Sequence, residues 1–337
     1  MNFEAIHKKI LKGLIVATTI LVLVIFIIFS KKFGEKTYLI LMSINFNVLL
    51  LVALLSVFTT VVLLPLRTYG ILRASGFDLT LKDVVLIYLA SIPIANLTPG
   101  QRVLASAFVS YLLWLYTKKS GEECSVYYVL DMFTTFIITI IFVVVITWGL
   151  GIPKVLRPIW NDLYKLILLG LFLCALAFII MEIYVMRREF KNEKIIKAKR
   201  IYKMFKKALK NTITDPKNFI FIYAVTILLY FAGYVEISLM MSALGVSLGI
   251  QEISVAECLI SIIRMIPTTP GDIGLLEGAQ AFVYSTLGVP KDKIIVYYIL
   301  NRTLLFLLPT LIGTVAFYIL YFTKLKHLGV EENGKKS

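Results

Sequence analysis

Long apolar runs broken by short basic turns dominate this chain. An α-helix rises 1.5 Å per residue, so about 20 apolar residues cross the ~30 Å hydrocarbon core of a bilayer. Leu11 to Phe29, Leu39 to Leu66, Val126 to Trp148, Leu163 to Met186, Phe219 to Met241 and Ile294 to Phe322 all reach that length. Two pairs of shorter runs do not: Val84 to Leu97 with Val103 to Tyr116, and Ile253 to Ile266 with Ile273 to Leu287. Each arm, about 14 residues or ~21 Å as helix, stops short of crossing. Each pair predicts a hairpin of half-helices meeting at a Thr-Pro-Gly turn, Thr98-Pro99-Gly100 and Thr269-Pro270-Gly271; kinked full spans are the alternative. The predicted fold class is an all-α polytopic membrane protein of about six full transmembrane helices plus two re-entrant half-helix hairpins, in one membrane domain over 1–337.

Composition agrees with that setting. Hydrophobic residues make up 59% of the chain and charged residues only 16%, with a mean hydropathy of +0.88; soluble domains run near half apolar and a quarter charged. Cys124, Cys174 and Cys258 are scattered through apolar surroundings and read as packing residues, with neither a disulfide framework nor a metal cluster. His7 and His327 lie in the polar ends, which weighs against an intramembrane metalloenzyme. No metal and no cofactor are expected. The run after Phe29 has no small-x-small cleavage pattern, so the first apolar segment reads as a retained span.

Charge sets the expected orientation. With the amino terminus inside, Arg67, Arg73, Lys118, Lys119 and twelve basic residues between Arg187 and Lys217 fall on the cytoplasmic side. Both termini are then cytoplasmic in a multi-pass cell-membrane protein. The 187–217 linker holds apolar residues at helical spacing (Ile195, Ile196, Ile201, Met204, Phe205, Leu209). It reads either as a basic amphipathic helix on the anionic leaflet or as a solvated linker. Most of the net charge of +15 sits there, so no nucleic-acid partner is needed to explain it.

An internal repeat is the most informative feature. "LTLKDVV" from Leu79 answers to "LGIQEIS" from Leu248, "TPG" at Thr98 to "TPG" at Thr269, and "VYYVLDM" from Val126 to "VYYILNR" from Val296. The first repeat occupies 11–150 and the second 163–322. Each holds an odd number of crossings, which turns one copy upside down relative to the other. Inverted repeats with broken helices at their interface build transporters.

Non-helical backbone in lipid costs several kcal/mol per unpaired group, so the two turns are expected to face protein or a wet cavity. Pro stops one half-helix, Gly permits the reversed conformation, and the next half-helix begins with N–H groups aimed at the midplane, which suits an anion. Arg102 follows the first turn and suits a phosphate. Asp272 follows the second and reads as an N-cap. Arg264 precedes that turn, sharing a helix face with Glu257, and Glu277 follows it. Asp131, its repeat mate Asn301, and Arg302 lie within spans, where ionisable groups are costly unless paired. Glu182 and Glu236 read as residues near span ends, and Tyr127, Tyr128, Tyr297 and Tyr298 as aromatic belt or cavity lining.

These segments, "LTPGQRVLASAFVSYLL" with "VLDMFTTFI", then "PTTPGDIGLLEGA" and "ILNRTLLFLLPTLIG", resemble the lysylphosphatidylglycerol synthase transmembrane-region family. Pro270, Gly271, Gly274 and Glu277 match that family's late Pro-Gly-Gly-x-Gly-x-x-Glu motif, with Asp272 in place of the second Gly. Arg102 matches its early Arg approximately, without the Gly-Glu that follows it, and Arg302 matches the late-span Arg. The resemblance implies a domain moving phospholipid between leaflets through a cavity between inverted halves. The synthases add a cytoplasmic acyltransferase-like domain, for which this sequence shows no segment, so an enzyme is not expected. The resulting expectation is a lipid flippase or transporter, possessing no catalytic residues. Arg102, Arg264 and Arg302 would take headgroup phosphate, and Asp131 and Glu277 a cationic moiety or a proton. Its partner is a membrane phospholipid or lipid-linked substrate, and a homo-oligomer is compatible with it. The alternatives are a membrane-embedded transferase or hydrolase using Asp131, Asp272 and Glu277, or a non-catalytic partner that docks an envelope enzyme through the basic linker.

Overall fold

The structure, a computed structural model, describes residues 35–97, 101–117, 119–145, 148–149, 151–180, 182–183, 193–263 and 272–325. Among these there is no strand. The chain forms α1 (Glu35–Ser43), α2 (Phe46–Ala74), α3 (Leu81–Leu97), α4 (Gln101–Thr117), α5 (Gly121–Val145), α6 (Arg157–Ile180), α7 (Glu193–Thr214), α8 (Pro216–Ala243), α9 (Ile250–Ile263), α10 (Leu275–Thr286) and α11 (Lys291–Thr323). Within α2, α5, α8 and α11, Phe46–Ala74, Gly121–Phe142, Pro216–Ala243 and Lys291–Thr323 are long and apolar enough to cross a bilayer. The predicted span at 11–29 lies outside the described residues, and α6 covers most of the one at 163–186.

One predicted boundary is wrong. The run from Leu39 to Leu66 is not a single helix, because Asn45 interrupts it: its side chain accepts the Asn47 N–H at 2.9 Å and starts α2 afresh. Beyond Leu66, α2 continues to Ala74, which carries Arg67 inside the helix. A π turn at Thr59–Leu63 precedes Pro65, and a second at Arg302–Leu307 precedes Pro309 in α11. Proline brings no N–H to the helical ladder, and an extra residue in the adjacent turn absorbs the fault.

The four helices α3, α4, α9 and α10 stand where the half-helices are predicted. Thr98, Pro99 and Gly100 of the first turn lie outside the described residues, as do Thr269, Pro270 and Gly271 of the second. A hydrogen-bonding pattern recurs along the chain at one spacing. After α2, the Gly76 N–H reaches Arg73 O (3.1 Å) and the Phe77 N–H reaches Leu72 O (3.0 Å); after α8, Gly245 reaches Ser242 O (2.9 Å) and Val246 reaches Met241 O (2.9 Å). Donors and acceptors alike are 169 residues apart. Both turns need a left-handed residue, which glycine supplies without a Cβ clash (φ 84° at Gly76, 63° at Gly245). A lysine closes each: Lys119 Nζ donates to Gly76 O (2.7 Å) and Lys293 Nζ to Gly245 O (3.0 Å).

Two cores result. Ile87, Val109, Leu112 and Tyr127 anchor one among α3, α4 and α5, and Met240, Leu259, Tyr284 and Tyr297 anchor the other among α8 to α11. From Glu193 on the basic linker is α7, and its apolar face joins the first core instead of facing water or lipid: Tyr202, Phe205 and Ala208 are buried, and Phe205 meets Phe133 edge to face at 5.5 Å. Tyr202 donates to Glu182 (2.7 Å), which also accepts Lys206 (2.8 Å). Burial and that acceptor push the Tyr202 phenol up to about 12.

The two cores are clamped where α11 crosses α3. A Cβ on Gly313 would lie 2.6 Å from Leu89 O and 2.7 Å from Pro93 Cδ, the first of these a backbone atom that cannot yield. Gly313→Ala is expected to cost about 1–3 kcal/mol by overpacking. Gly70→Ala should cost less, because its new Cβ meets side-chain atoms, Ile222 Cγ1 at 2.7 Å and Phe221 Cδ1 at 3.1 Å, which can shift where a backbone oxygen cannot. Chemical unfolding in detergent micelles ranks the two variants; equal cost would contradict the clamp.

Candidate functional site

A cavity of about 850 Å³ opens between the two cores, walled by α2, α5, α8, α9 and α11. Phe133, Phe136, Phe142, Leu229 and Leu305 supply apolar lining. Charged residues share the same walls. Arg67 on α2 pairs with Asp131 on α5, Nη1 to Oδ1 at 2.8 Å, with the two side chains 12% and 8% exposed. The Arg67 Nη2 also donates to Thr135 Oγ1 (2.6 Å) and to the Asp131 carbonyl (3.3 Å), and Ser106 of α4 donates to Asp131 Oδ2. This converges α2, α4 and α5 on one carboxylate. A bilayer interior demands such pairing, since an isolated ion there is strongly disfavoured.

A second ion pair comes from the second half of the sequence. Arg302, on the π turn of α11, donates through Nε to Glu277 Oε1 (2.7 Å), with Nη2 at 2.6 Å from the same oxygen; the side chains are 6% and 27% exposed. The guanidinium also reaches the Asp272 carbonyl (3.4 Å) and lies 5.0 Å from the Phe306 ring centre. Glu277 is held from behind, because Oε2 accepts the Gly274 N–H (2.7 Å) and its carbonyl accepts the Tyr298 hydroxyl (2.7 Å). Gly274 is therefore the N-cap of α10, with Glu277 folding back on it. The N-cap reading of Asp272 is overturned: it sits two residues earlier at φ 55°, a conformation Asp tolerates better than most residues, and its carbonyl accepts the Leu276 N–H (3.0 Å).

Of the residues singled out from sequence, Asp131, Asn301 and Arg302 line this cavity and Glu277 stands behind Arg302. Asn301 donates to Tyr297 (3.3 Å). Arg264 lies outside the described residues, so its suggested pairing with Glu257 is not placed; Glu257 itself accepts the Tyr284 hydroxyl (2.7 Å). Arg102 is the second residue of α4, and its side chain is outside the described set. Arg67 and Glu236 are cavity-lining residues that sequence reasoning did not place there. Arg67 reads as a topogenic basic residue and is instead buried in the cavity wall; Glu236 reads as an interface residue and is instead 6% exposed and cavity-lining. The signal lay in the repeat: each stands nine residues before a repeated glycine, Gly76 or Gly245.

The arrangement offers two guanidiniums, planar forks suited to phosphate, each already engaged by a carboxylate that an incoming anion must displace or share. Apolar side chains share the cavity with them.

The sequence profile of the family described as "Lysylphosphatidylglycerol synthase TM region" matches residues 10–313. A "UPF0104 membrane protein" of Methanothermobacter thermautotrophicus is 23% identical over 293 residues, covering 80% of this chain and 84% of its own length. A further match of the same description and organism is 23% identical over 112 residues, 33% of this chain and 32% of the relative. No solved structure matches.

Proposed function

Since the chain belongs to the lysylphosphatidylglycerol synthase transmembrane-region family, we propose that this membrane protein moves a phospholipid or lipid-linked substrate between leaflets through the cavity between its two cores. The observation that carries the reading is the cavity's mixed lining: two arginines, each paired with a carboxylate, share about 850 Å³ with aromatic and aliphatic side chains. A charged headgroup in bare hydrocarbon is costly by tens of kcal/mol in the idealised limit, and polar groups in a protein-lined passage lower that barrier. The halves act as inverted repeats that expose the cavity to alternate faces of the cell membrane, both termini being cytoplasmic. Arg67 joins Arg302 as a phosphate-binding group, with Arg102 and Arg264 flanking the Thr-Pro-Gly turns in the sequence. We read the protein as a transporter rather than an enzyme; of the three carboxylates the acid–base alternative would use, Asp131, Asp272 and Glu277, the first and last are each engaged by an arginine.

Reconstitution into vesicles carrying headgroup-labelled phospholipid tests this. With an impermeant quencher outside, labelled lipid from the inner leaflet should become quenchable in proteoliposomes and not in protein-free vesicles. Equal protection in both, under proton, sodium and no gradient, would overturn the reading; a new lipid species by mass spectrometry would turn it toward an enzyme.

A further inference from the structure

We propose that Glu236 is a proton-binding site, and that its protonation is coupled to the movement of substrate through the cavity. The inference deepens the transport reading and rests on it for the coupling, while the proton site stands on geometry alone.

Register is the first argument. Arg67 precedes Gly76 by nine residues, and Glu236 precedes Gly245 by nine, each ahead of the same hydrogen-bonded cap. Asp131 lies eleven residues after Ser120, whose carbonyl accepts the Cys124 N–H; Asn301 lies eleven after Pro290, whose carbonyl accepts the Ile294 N–H. One half therefore sets a base and an acid at its two positions. The other sets an acid and a neutral amide, so Glu236 meets no base at the position corresponding to Asp131.

Local chemistry is the second. The Thr59 hydroxyl, on the π turn of α2, lies 3.2 Å from Glu236 Oε1 and 3.0 Å from the Ser56 carbonyl. One hydroxyl hydrogen serves two acceptors only as a weaker, bifurcated bond. A proton on Glu236 resolves the conflict: the carboxyl donates to Thr59 Oγ1, and Thr59 donates to Ser56 O. The proton enters from water and adds to the carboxylate, with no other bond changed.

The surrounding charges point the same way. From α2, Arg67 is held by Asp131 of α5, and from α11, Arg302 is held by Glu277. On α9, Glu257 and Cys258 line the cavity, and on α8 itself so do Tyr230 and Tyr234. The Tyr230 hydroxyl meets Thr139 at 3.0 Å. Among the described residues the two guanidiniums at the cavity are each engaged by a carboxylate of their own, Asp131 or Glu277, and the contact of Glu236 is a neutral hydroxyl. A carboxylate in a low-dielectric site with a neutral partner is neutralised by taking a proton.

Infrared pH-difference spectra of the purified protein in nanodiscs test the site without any lipid assay. A protonated-carboxyl band should be present in wild type, lost in Glu236→Gln and retained, shifted, in Glu236→Asp; a band unchanged in well-folded Glu236→Gln overturns the proposal. In vesicles loaded with a pH indicator, lipid movement by wild type should respond to an imposed proton gradient, and the ratio of rates with and without it should fall to one in Glu236→Gln. Lipid movement indifferent to the gradient in wild type would overturn the coupling. A Glu236-dependent band with no lipid movement would sink the transport reading and leave the proton site standing.

Discussion

Arg67→Ala is expected to destabilise the protein by about 3–5 kcal/mol, because it leaves Asp131 buried in the cavity wall without its cation. The loss should exceed what the deleted contacts alone suggest. A buried pair costs much to desolvate and returns little net stability when intact, yet breaking it leaves one charge with neither water nor partner. The double substitution Arg67→Met with Asp131→Leu should therefore recover most of the loss. Unfolding of both variants in detergent micelles checks this, and a double variant no better than Arg67→Ala would show that the arginine acts by packing and not by charge.

Glu277→Gln carries the second large effect, of the same order, about 3–5 kcal/mol. Its two oxygens serve different donors, Oε1 taking Arg302 and Oε2 the Gly274 N–H. An amide has one acceptor oxygen, so the variant must abandon either the guanidinium or the helix cap. Arg302 is the more buried partner, 6% exposed against 27% for Glu277, so the stranded charge is the cation. Arg302→Gln should be milder, because a released Glu277 can reach water. The reverse order, measured by the same unfolding transitions, would contradict this account of the α10–α11 junction.

The contrast between those two pairs shows what a sequence of this kind reveals. Span lengths are legible because lipid thickness imposes them, and α5, α8 and α11 fall close to their predicted runs. Asn45 breaks α1 from α2 inside an apolar stretch, and its capping geometry has no signature in a hydropathy window. The acid Asp131 is conspicuous within its span, but its base is not: Arg67 at the end of an apolar run looks identical to a positive-inside anchor until α2 is seen to continue past it. Glu277 has no partner that its own sequence neighbourhood points to; Arg302 arrives from the next helix. Likewise the amphipathic pattern of α7 predicts a helix and an apolar face without saying whether lipid or protein covers it; Phe133 and the first core do. Pattern fixes period and length, while partners depend on how helices cross.

The central claim is that substrate passes through the cavity, and Gly233 offers the most direct test. It lines that cavity on α8, and a Cβ placed on it meets nothing within 4 Å, so Gly233→Trp should fill the passage without straining the helix. In the labelled-lipid vesicle assay the account predicts that Gly233→Trp abolishes inner-leaflet quenching while unfolding at the wild-type midpoint; a folded Gly233→Trp protein that moves lipid at the wild-type rate would contradict it.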